Sequence, residues 1–93
     1  MNFKPTYRNA METLVIEALD HHLNTQTLEF QSGCDLNDAI AYALNRLPAV
    51  YTTNDISWAR QCDRLRQSMG ELIDEAALWG LERASQPRSQ LVS

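Results

Sequence analysis

Three stretches of the chain carry apolar residues at helical spacing. From Tyr7 to His22 they fall at Met11, Leu14, Val15, Ala18 and Leu19, the i, i+3, i+4, i+7, i+8 stripe of an amphipathic helix. Pro5 and Thr6 precede it, with Thr6 as candidate N-cap, and Asn24 follows as candidate stop. Residues 24–34 are polar apart from Leu28 and Phe30 and read as a connecting loop with at most one extended turn. Asp35 then opens a second helix, Leu36 to Arg46, with Asp38 placed three residues on as in a capping box. Leu36, Ile40, Ala43, Leu44 and Leu47 make its apolar face, and Pro48 closes it because the residue before proline is biased out of the helical region.

The segment from Pro48 to Asp55 carries Val50 and Tyr51 and offers Thr53, Asn54 or Asp55 as the cap of a third helix. That helix is expected to reach about Ala84 and to be much the longest element. Trp58, Cys62, Leu65, Met69, Leu72, Ala76 and Trp79 alternate spacings of four and three, the heptad rhythm of a coiled-coil seam, and Ile73, Ala77 and Leu81 widen it. Gly70 and Gly80 each weaken a helix by about 1 kcal/mol relative to alanine, and Gly70 is open to a break, a kink or a close crossing. Residues 85–93 lack periodicity and are expected to be disordered. The expectation is an all-α fold, a small three-to-four-helix domain over residues 1–84. A chain this short buries little surface, and a long helix with a wide apolar face outruns two shorter neighbours. A homodimer packed through the C-terminal helix is therefore expected.

Composition narrows this further. With 93 residues, 44% of them hydrophobic, and only three Gly and three Pro, the chain suits one globular domain and neither disorder nor a loop-rich fold. No apolar run approaches the roughly 18–20 residues of a membrane span, and the first residues lack the apolar core of a secretory signal. A cytoplasmic location is the default expectation, with no membrane partner. Two cysteines are too few for a four-thiolate zinc site in one chain and do not make a disulfide framework. His21 and His22 are adjacent, so on a helix they point about 100° apart and do not face one metal. No Ser-His-Asp spacing, Gly-rich phosphate loop or paired catalytic carboxylates are found, so neither an enzyme nor a cofactor is expected.

The formal net charge of −4 disfavours a nonspecific nucleic-acid binder, which depends on a broad basic surface. The basic residues are nevertheless one-sided: Lys4 is the single lysine against Arg8, Arg46, Arg60, Arg64, Arg66, Arg83 and Arg88. Background composition alone accounts for such a bias. Equally, arginine's planar fork suits phosphate and guanine edges and stacks on aromatic rings.

The run Asp38-Ala39-Ile40-Ala41-Tyr42-Ala43-Leu44-Asn45-Arg46-Leu47-Pro48-Ala49-Val50-Tyr51 resembles the core motif of the late-competence-development ComFB family. Upstream, Asn9-Ala10-Met11-Glu12-Thr13-Leu14-Val15 is similar to that family's opening helix. The resemblance covers roughly residues 7 to 52. Many members carry several cysteines before the Asp that opens the second motif, spaced as a zinc site; here Cys34 stands alone. The Cys-poor form looks more like the cyanobacterial branch, whose members are small helical dimers that receive cyclic di-GMP. What the resemblance implies is a second-messenger receptor that signals to a protein partner and is not an enzyme. A helical protein-interaction adaptor without a nucleotide ligand is the alternative.

Such a ligand offers two phosphates and two guanines, and a site for it needs cations, stacking rings and hydrogen-bonding groups for the base edges. The candidates are Tyr7 and Arg8 at the start of the first helix, Tyr51 before the third, and Trp58, Arg60, Asp63 and Arg64 at its opening. Arg60, Arg64 and Gln67 share one face by their i, i+4, i+7 spacing. Four of them have a structural reading beside the functional one: Trp58 as core or dimer interface, Arg60 and Arg64 as a solvated ion-paired face, Tyr51 as packed beneath its loop. Arg46 and Asn45 read as caps of the second helix.

Overall fold

The computed structural model describes residue 3, residues 6–25 and residues 35–85. A two-residue strand β1 (Arg8–Asn9) leads into α1 (Ala10–Thr25); α2 (Leu36–Leu44), a second short strand β2 (Tyr51–Thr52) and α3 (Asp55–Ala84) follow. The expected loop falls largely, and the expected disordered tail almost wholly, outside the described residues. No helix among the described residues is long and apolar enough to cross a membrane.

The all-α expectation holds for the body of the molecule, with one addition. β1 and β2 pair antiparallel, Arg8 opposite Thr52 and Asn9 opposite Tyr51. This pairing moves the start of α1 from Tyr7 to Ala10 and replaces Thr6 by Asn9 as its capping residue. The Asn9 Oδ1 accepts from the Met11 amide at 3.1 Å, as an N-cap does, and from the Val50 amide at 2.9 Å. The Ala10 amide donates to the Val50 carbonyl at 2.7 Å. One side chain therefore both starts a helix and holds the strand that crosses it. At its other end α1 runs through Asn24 to Thr25.

Asp35 caps α2 by accepting from the Asn37 amide at 2.9 Å, and Asn54 caps α3 by accepting from the Ser57 amide at 2.9 Å. Asn45 is the C-cap of α2, so Arg46 lies in the turn beyond the helix rather than within it. Helix α3 is continuous through Gly70, and at the usual rise per residue its 30 residues span about 45 Å.

Helices α1 and α2 both pack along α3. Met11, Leu14 and Val15 from α1, Ala39 and Ala43 from α2, and Cys62, Leu65, Ile73, Ala77 and Leu81 from α3 are the buried centre. The heptad seam is only half used. Cys62, Leu65 and Ala76 are buried, but Leu72 is 55% exposed and the core shifts to Ile73, Ala77, Gly80 and Leu81. A straight helix drifts about 20° per heptad against a seven-residue repeat, so a single packed domain follows the 3.6-residue stripe instead. Gly80, not Gly70, is the close crossing: a Cβ there would meet the backbone carbonyl of Ala39, while nothing lies near Gly70.

Candidate functional site

The strand pairing creates the site. Side chains alternate across a strand, so Arg8 and its partner Thr52 project to one face and Tyr7, Asn9 and Tyr51 to the other. On the first face Arg8 lies over Trp58, its guanidinium carbon 4.0 Å from the ring centroid, within cation–π range. Its Nη1 also stands 3.6 Å from the Asp55 carboxylate, at the opening of α3. On the second face Tyr7 and Tyr51 meet edge to face, with centroids 5.5 Å apart and planes at 86°. They are 62% and 63% exposed, so Tyr51 stands out in solvent rather than beneath its loop.

A hollow of about 300 Å³ opens here, lined by Tyr7, Arg8, Thr52, Asn54 and Asp55 among others. Two polar atoms in this neighbourhood, the Thr52 hydroxyl oxygen and the Trp58 indole Nε1, are buried without a hydrogen-bond partner. Buried polar groups nearly always find partners, and of the two only Thr52 lines the hollow, so its unpaired hydroxyl marks a place where an added polar group is favoured.

Four of the sequence-predicted residues therefore meet as two pairs, Tyr7 with Tyr51 on one face of the strand pair and Arg8 with Trp58 on the other. The other three lie elsewhere on α3. Arg60 and Arg64 are exposed and sit about 200° and 240° around the helix from Trp58, on its far side. Asp63 accepts from Arg66 Nη1 at 3.0 Å, and Arg66 in turn makes a forked contact with Glu17 of α1, the shortest at 2.6 Å. Arg66, one of the arginines that open the third helix, is thus a clamp between α1 and α3, and the Glu17 hydrogen bond holds its guanidinium above its ordinary pKa.

A second cluster went unpredicted. Arg46, read as a helix cap, lies over Trp79 with its guanidinium carbon 4.5 Å from the ring centroid. Tyr42 packs edge-on against the same ring at 5.9 Å, and Arg83 stands 5.6 Å from the Tyr42 centroid. The signal in the sequence was Trp79 and Arg83 at i, i+4, one face of one helix, together with the arginine bias.

His21 and His22 do not converge on a ligand. The His22 Nε2–H donates to the Asp74 carbonyl at 3.1 Å, fastening α1 to α3. Cys62 is buried in the core, and burial pushes its thiol above the ordinary value, against the opposing pull of Arg66. Cys34 lies outside the described residues.

Fold and site together define a class: a small all-helical domain, pinned by one two-residue strand pair, that presents arginines stacked on indole rings. The family model described as late competence development protein ComFB matches residues 8–87, and the chain belongs to that family. A comparison with curated proteins finds no match.

Proposed function

We propose that this ComFB-family chain is a cytoplasmic receptor for cyclic di-GMP, acting as a homodimer, without catalysis or cofactor, and passing the signal to a protein partner. The observation that carries the reading is a hollow lined by Tyr7 and Arg8, with Tyr51 against Tyr7 and Trp58 beneath Arg8. Arg8 is already oriented by the indole face of Trp58, so little rotamer freedom is left to lose when a phosphate arrives. The exposed tyrosines offer stacking surface for a guanine at about 1–3 kcal/mol per base. The unpartnered Thr52 hydroxyl suits a polar atom of the ligand.

The hollow, at about 300 Å³, sits at the low end for small-molecule sites, which favours each copy of a dimer holding one half of a two-fold ligand. Arg60, Asp63 and Arg64, facing away from the hollow of their own chain, serve such a site only from the partner copy. Binding would replace the Arg8–Asp55 pair by an arginine–phosphate pair and shift the population of β1–α3 arrangements that a partner protein meets.

Calorimetric titration with cyclic di-GMP tests the proposal. Saturable binding that R8A removes is the expected result. No heat up to tens of micromolar ligand would end it. The adaptor reading is favoured by one observation, the exposure of Leu72 beside a groove lined by Leu47, Pro48 and Met69. It predicts that L72E abolishes function while R8A leaves it untouched.

A further inference from the structure

The Arg46–Trp79 cluster lies about 30 Å along α3 from Trp58, counted at the usual rise per residue. It is built from two helix ends. Arg46 follows the C-cap of α2, and Arg83 lies in the last turn of α3. A cation is favourable near a helix C-terminus, which explains the sign of both charges. It does not explain their arrangement. Arg46 is 4.5 Å and Arg83 6.0 Å from the centroid of the same ring, so two like charges converge on one indole. The ion pairs among the described residues join Arg8 with Asp55, and Arg66 with Glu17 and Asp63; neither Arg46 nor Arg83 takes part. The Arg83 Nε is also buried without an acceptor.

A guanidinium laid on a ring uses its face and leaves its N–H edge free. The free edge of Arg46, with the Arg83 guanidinium 6.0 Å from the same ring centroid, suits a tetrahedral dianion. A planar monocarboxylate is already satisfied by a single arginine fork. Tyr42 and Trp79 are half-buried against each other, unlike the exposed Tyr7 and Tyr51, so this end offers charge without a stacking surface for a base. Glu75 lines the groove beside Arg46 without pairing to it and sets a negative charge at the rim.

We propose that Arg46 and Arg83 form a second anion site, independent of the cyclic di-GMP reading, which takes a phosphoryl dianion carried either by a small metabolite or by a phosphorylated side chain of a protein. The test is a titration of the full chain with inorganic phosphate at constant ionic strength and slightly alkaline pH, followed by NMR at the Trp79 Nε1–H and the Arg83 Nε–H. Saturable shifts at both groups are expected, with affinity weakened about ten-fold by R46A, less by R46K, and strengthened by E75Q. R8A leaves these shifts unchanged, so failure here is distinct from failure of the proposed receptor site. Acetate at the same concentration produces no saturation. Glycerol phosphate and a blocked phosphoserine then separate the two sources, since the tighter binder identifies the carrier and either one supports the site. Linear drift in phosphate that is equally steep in R46A overturns the proposal, as does saturation by acetate with equal affinity.

Discussion

Gly70 and Gly80 occupy the same helix ten residues apart, and the same substitution should move stability in opposite directions at the two positions. A Cβ at Gly70 meets nothing within 4 Å, so G70A keeps only the gain in helix propensity, about 1 kcal/mol. In a domain of this size that raises the midpoint of thermal unfolding by about 4–8 °C. At Gly80 the added carbon would run into the Ala39 carbonyl, with the Ala43 amide nitrogen 3.3 Å away. Those are backbone atoms of α2, fully buried at both residues, and they cannot swing aside as a side-chain tip can. Overpacking of this kind costs about 1–3 kcal/mol, and α2 must shift bodily to relieve it. After the propensity gain is offset, G80A should destabilise by up to about 2 kcal/mol, more if α2 resists displacement. Urea and thermal unfolding of both variants read this directly. Because Arg46 follows α2, the Arg46–Trp79 stacking should loosen in G80A and stay intact in G70A. A G80A variant stabilised as much as G70A would refute the close crossing on which the α2–α3 packing rests.

Two further outcomes test the joints of the fold. N9A removes one acceptor shared by the Met11 and Val50 amides and should cost about 2–3 kcal/mol, the loss of a cap plus an orphaned amide, whereas N9D retains the acceptor and most of the stability; equal unfolding midpoints for N9A and the parent would contradict the double role. The Cys62 thiol is raised by burial above its ordinary value of 9.0, so the folded state favours the protonated form. Its contribution is complete below the unfolded pKa and is lost as pH rises through the folded one, so the stability advantage of the parent over C62A should hold at neutral pH and shrink as pH rises above 9.0. An advantage that grows over that range would reverse the assignment.

What was legible in the sequence was whatever short-range periodicity encodes. The third helix was readable from its caps and its apolar spacing, and Asn54 was among the capping residues it offered. The second helix was readable from Asp35 and Pro48. The start of α1 was misplaced because the Arg8–Asn9 pairing with Tyr51–Thr52 is two residues long and joins segments some forty positions apart, with no alternation for a local pattern to show. The heptad seam looks continuous in the sequence because a seven-residue rhythm and a 3.6-residue stripe coincide over one or two turns and separate only by Leu72. The aromatic–arginine grouping of Tyr7, Arg8, Tyr51 and Trp58 was legible as residue types, and the strand pairing supplied the reason for their convergence. Arg46 was hidden by a sufficient local explanation: a cation at a helix end satisfies the dipole, and nothing nearby in the sequence announces Trp79.

The strand pair and the indole together give Arg8 its place, and the receptor reading depends on that place more than on the number of arginines. The most direct measurement is an NMR titration with cyclic di-GMP, following the Trp58 Nε1–H and the backbone amides of residues 7–9 and 51–55 in the parent chain and in R8A. Saturable shifts concentrated in those groups, absent in R8A and small around Trp79, are the predicted result. Binding that leaves Trp58 and the strand pair unmoved, or that survives R8A undiminished, would contradict it.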